Sequence, residues 1–112
     1  MRLVVCILKD YRRVEEILLG FVELGVTGAT VVDARGMGQI LGSEVPIFAS
    51  LRGLFPGSAV DSQIILSATT EPKARAVVAL IERVCGPLDQ PGAGIVMTLP
   101  LDDLRGLKPE IQ

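Results

Sequence analysis

The sequence predicts an α+β domain in which a four-stranded antiparallel sheet carries two helices on one face, and three observations predict it. Each half of the chain reads strand, helix, strand; the strands are aliphatic, with only 4% aromatic residues overall; and one long connection joins the halves. The order βαββαβ, divided in this way, is that of the ferredoxin-like, or split βαβ, arrangement. Residues 1–112 are read as one domain, a length that supports a single two-layer core.

Each element has its own warrant. Residues 3–8, LVVCIL, form a continuous apolar run of strand length, as expected for a strand central in its sheet. Asp10 then offers an N-cap, and Val14, Ile17, Leu18, Phe21 and Val22 recur at the spacing of one helical face. Gly25 closes that helix as its C′ residue. TGATVVDARG reads as the second strand and VDSQIILSA as the third. The second helix opens at Thr69 or Thr70 with Pro72 in its first turn, where a proline costs no hydrogen bond, and its apolar face is Ala74, Val77, Val78, Ile81 and Val84. GIVMTLPL is the last strand.

The connection over residues 37–60 is far longer than a hairpin loop. Within it Ile47, Phe48, Leu51, Leu54 and Phe55 repeat at helical spacing between Pro46 and Pro56, which predicts a short amphipathic helix carried on the loop. Ile47, Phe48, Leu51, Arg52 and Phe55 are its candidate partner-binding residues. Two roles are open to it: a cap on the sheet edge or a subunit seam, and an arm that binds a partner.

The balance of charge narrows the function classes. Eleven Lys and Arg against thirteen Asp and Glu give a net charge of −2, with no basic stripe for nucleic acid or an anionic membrane. There is no histidine, and Cys6 and Cys85 each sit in an apolar run, where a cysteine behaves as a small buried hydrophobe. Metal catalysis and enzymatic acid–base chemistry are therefore disfavoured, and no metal or cofactor is expected. The N-terminal apolar stretch is stopped by Lys9 and Asp10, so it is not read as a signal peptide, and no run reaches membrane-spanning length; the expectation is a cytoplasmic protein. With helices on one face only, the other face of so aliphatic a sheet is expected to be covered by self-association.

The strand ending ILKD, the run GVTGATVVDARGMGQ, the long loop that follows it, and GAGIVM at the start of the last strand together resemble the PII family of nitrogen-regulatory signalling proteins and its PII-like relatives. The resemblance covers nearly the whole chain. It implies a ferredoxin-like fold, a homotrimer with sheets facing inward, and a small effector bound in the clefts between subunits. Carried over by position, it implies effector contacts from Lys9, Thr30, Gly36, Gly38, Gly92 and Gly94, with Arg35 and Arg105 as nearby cations. The effector would be an adenine nucleotide or another small anion, and the protein partner a transporter or enzyme addressed through the long loop.

The chain departs from typical members at three points. Ile95 stands where they place a lysine after the glycine turn, Asp102 and Asp103 lie where they carry arginines, and the only tyrosine, Tyr11, is outside the long loop. Phosphates held in a cleft require cations, so these departures bear on nucleotide binding. Two readings follow: a PII-like trimeric sensor, and an effector-independent trimeric adaptor with a static loop helix. Asp33 and Arg35 are read as a solvated or intersubunit pair.

Overall fold

The chain order in the computed structural model is β1 (Arg2–Leu8), α1 (Arg12–Glu23), β2 (Thr30–Ala34), β3 (Ser62–Thr69), α2 (Glu71–Cys85) and β4 (Ile95–Pro100). The structure describes residues 1–10, 12–37, 40–41, 62–88 and 94–107. The loop helix expected around Ile47, Phe48, Leu51, Arg52 and Phe55 lies outside these residues, as do Gly38 and Gly92.

All four strands are antiparallel and lie in the order β2-β3-β1-β4. β1 therefore occupies a central position, as its unbroken apolar run predicts, flanked by β3 and β4; Cys6 pairs with Ile65 on one side and Val96 on the other. Strand alternation sorts the side chains into two sets. Val4, Cys6, Leu8 and Ile65 join Val14, Ile17, Phe21, Ala74, Val77, Leu80 and Ile81 in the core, so both helices pack on this face. Leu3, Val5, Ile7, Ile64, Leu66, Val32, Ile95, Met97 and Leu99 alternate onto the opposite face.

Local chemistry explains where the helices begin and end. The Asp10 carboxylate accepts a hydrogen bond from the backbone N–H of Arg12 at 3.0 Å, capping α1 as the sequence predicts. At the other end Gly25 takes φ 81°, and the N–H groups of Gly25 and Val26 reach back to the carbonyls of Val22 and Phe21. This is a Schellman closure, and the buried Val26 and Phe21 supply its apolar contact. Lys73 of α2 donates from Nζ to the Gly25 carbonyl at 3.0 Å, tying the two helices at this point. α2 starts after Thr70 with Pro72 in its first turn and stops at Gly86, whose φ is 80°.

Two helical faces differ from their expected composition. Val22 is 60% exposed, whereas Gly20 is buried in its stead. The cause is the crossing of the helices: a Cβ at Gly20 would stand 2.6 Å from Leu80 Cδ2, so α2 approaches α1 where α1 has no side chain. Leu80, absent from the predicted face of α2, is thereby buried, while Val78 and Val84 are only half-buried. Full burial of side chains such as Ile17 and Ile81 stabilises the fold by about 1.5–3 kcal/mol each.

Candidate functional site

The carboxyl end of β1 is where the predicted residues gather. Lys9 follows the last residue of β1, and its Nζ lies 3.5 Å from the point a Cβ on Gly36 would occupy. Gly36 follows β2 by one residue and accepts a hydrogen bond at its carbonyl from the N–H of Ile40, so the chain turns as it leaves the sheet. On the other side, Gly94 precedes β4 with φ 132°, and a Cβ there would stand 2.9 Å from the Ile7 carbonyl oxygen. Only glycine takes this conformation without strain, and only glycine lets the start of β4 close so tightly on β1. Lys9, Gly36 and Gly94 thus surround one end of the central strand.

Lys9 is a cation without an opposing carboxylate among the described residues. The adjacent Asp10 does not supply one. Its carboxylate is taken up by Arg12, through the side chain and the backbone N–H, and these hydrogen bonds hold it below the usual carboxylate range. A second group at this end escaped the sequence reading. Ser62, which pairs with Ala34 and lies one residue beyond the final β1–β3 pair of Leu8 with Gln63, is 3% exposed and its hydroxyl has no hydrogen-bond partner among the described residues. Buried hydroxyls are almost always bonded, so one without a partner among the described residues is unusual. With Gln63, Ser67 and Thr69 in the same strand, Ser62 carried no local signal of its own.

Other predicted residues lie elsewhere in the chain. Thr30 pairs with Leu66, four positions from Ala34 along β2, and is exposed. Arg35 is the exception: it is exposed and stands between Ala34 and Gly36, at the same end of the sheet as Lys9. The Asp33 Oδ1 accepts a hydrogen bond from Gln63 Nε2 at 2.9 Å. Arg105 follows the opposite end of β4, where Pro100 pairs with Arg2, and its Nε contacts Asp103 at 3.3 Å. Within one chain, Arg105 is therefore remote from Gly94. Ile95 is 54% exposed on the sheet face opposite the helices.

The thiols stay out of this site. Cys6 is fully buried, and burial, reinforced by the nearby Cys85, pushes its pKa to about 12; burial likewise raises that of Cys85. Both are free, Cys6 buried and Cys85 half-buried, and these shifts favour their neutral form. Among the described residues no group of three or more Cys, Asp or Glu side chains is arranged to hold a metal ion, and no helix is long and apolar enough to cross a membrane.

What the arrangement can offer chemically is a cation for an anion at the end of β1, through the Lys9 ammonium and the close approach that Gly36 permits. No protein-family model matches this chain, and no curated protein matches it.

Proposed function

We propose that the chain is a PII-like regulatory protein of ferredoxin-like fold that assembles as a homotrimer, binds a small anionic effector between subunits and signals through residues 37–60. The observation that carries the reading is the approach of Lys9, which has no opposing carboxylate among the described residues, to Gly36 at the end of β1 where Gly94 also closes on Ile7. The fold assignment is supported by the order βαββαβ with β1 and β3 central and β2 and β4 at the edges. Trimer formation is supported by the aliphatic face bearing Val5, Ile7, Leu66, Ile95, Met97 and Leu99, of which Ile95, Met97 and Leu99 are exposed in the single chain.

The proposed activity is binding, not catalysis. An effector that prefers one arrangement of the long loop over another by tenfold shifts the loop equilibrium by about 1.4 kcal/mol, enough to report occupancy to a transporter or enzyme partner. Isothermal titration with adenine nucleotides, cyclic nucleotides and bicarbonate tests the reading. Saturable heat from one of them supports it, and silence from all of them removes the sensor.

Exposed Ile95 favours a second reading. It puts an aliphatic side chain where the PII resemblance implies a phosphate-binding lysine, and Asp102 and Asp103 follow β4 where that resemblance implies arginines. On this reading the trimer is an effector-independent adaptor. An intact trimer that binds none of the titrants is its signature.

A further inference from the structure

At the other end of β1, on the helix side of the sheet, a cavity of about 360 Å³ is lined by Arg2, Glu71, Ala74, Arg75, Val78 and Thr98. Seven residue steps of extended chain, about 23 Å, separate Arg2 from Lys9, so the cavity is distinct from the site described above. Its volume falls within the range of small-molecule pockets, about 300–1,000 Å³.

The lining divides into two kinds. Arg2 and Arg75 present guanidinium groups that converge on the same oxygen of Glu71: Arg2 Nη2 lies 3.9 Å from Oε1, and Arg75 Nη2 contacts it directly. Two positive charges meet one negative charge, leaving one positive charge unmatched. A guanidinium has five N–H donors, and Glu71 occupies few of the ten. Glu71 and Arg75 are also one helical turn apart on α2, an exposed pairing of a kind that holds weakly and yields to a competing carboxylate. Beside these charges, Ala74 and Val78 form an apolar wall, and Thr98 on β4 adds a hydroxyl.

We propose that this cavity binds a small branched aliphatic carboxylate. Its oxygens accept hydrogen bonds from Arg2 and Arg75, and its alkyl group lies on Ala74 and Val78. One unmatched positive charge selects a monoanion. The apolar wall disfavours a compact, fully hydrated anion such as inorganic phosphate. The cavity faces away from the open sheet surface, so the inference holds whether or not the trimer proposed above forms.

The test is a two-dimensional amide NMR titration of the full chain with isovalerate. Acetate, isoamylamine and inorganic phosphate serve as comparisons. Isovalerate is expected to shift the amides of Arg2, Ala74, Arg75, Val78 and Thr98 saturably, acetate to act more weakly, and isoamylamine to leave them in place. Combined Arg2→Gln and Arg75→Gln substitution should weaken isovalerate about tenfold or more, the scale of a lost charge-assisted hydrogen bond. Val78→Phe, which fills the cavity and keeps both arginines, should abolish the shifts and serves if the double variant does not fold. The proposal is overturned by the absence of saturable shifts, by isoamylamine producing the same shifts, by phosphate binding as tightly as isovalerate, or by undiminished binding in a folded variant.

Discussion

Lys9 Nζ stands 3.5 Å from the position a Cβ on Gly36 would take, so the ammonium ending the central strand rests over the residue that opens the long loop. An anion held by Lys9 would therefore touch the root of the loop. Replacing Lys9 with Gln keeps polarity and most of the length but removes the charge. Effector affinity should fall about tenfold or more, on the scale of a charge-assisted hydrogen bond, with the far-ultraviolet circular dichroism unchanged. Titration calorimetry beside thermal melting separates this outcome from a loss of fold.

Gly94 provides a purely structural test at the same end of the sheet. An alanine there meets both a φ of 132° and an approach of 2.9 Å to the Ile7 carbonyl oxygen, which is backbone and cannot swing away. Gly94→Ala should cost about 1–3 kcal/mol in urea unfolding. Gly86→Ala, at φ 80° with open space around it, should cost less, because only the conformational part applies.

The helix crossing makes a coupled prediction. Gly20→Ala drives a methyl group against Leu80 Cδ2, and overpacking of this kind costs about 1–3 kcal/mol. Leu80 is a flexible side chain, so Leu80→Ala alone leaves a void while the double variant fills it. The two substitutions should be less destabilising together than the sum of each alone, measurable as a double-mutant cycle by chemical denaturation.

Cys6 predicts an alkaline limit to stability. Its folded pKa of about 12 lies above the ordinary thiol value of 9.0, so the neutral thiol favours the fold. That contribution is fully present below pH 9 and is lost as the pH rises toward 12. Cys6→Ala, which removes the ionisation, should flatten the decline of melting temperature over this window while lowering it at neutral pH. In the native protein at neutral pH, Cys6 should resist iodoacetamide and Cys85 should react first, as peptide mapping would reveal.

How far the sequence discloses this molecule depends on whether the signal is local. The Asp10 cap, the Gly25 closure and the apolar run of β1 are set by neighbouring residues, and each was legible. The exposure of Val22 and the burial of Leu80 were not, because they depend on where a second helix crosses Gly20. The same holds for the candidate site. Lys9, Gly36 and Gly94 were named through the PII resemblance, position by position, whereas Ser62 became a candidate only once strand pairing brought it beside Ala34 with no partner for its hydroxyl among the described residues. The cavity between Arg2 and Arg75 joins residues 73 positions apart in sequence and had no local signature.

The open sheet face decides whether this chain assembles. Sedimentation equilibrium at micromolar concentration should give three times the 11.9 kDa mass of the chain, and Ile95→Glu combined with Met97→Glu, which places charges on that face, should give a folded monomer. A wild-type chain that sediments as a monomer would contradict the account, since the aliphatic face and any site between subunits would then be left open to water.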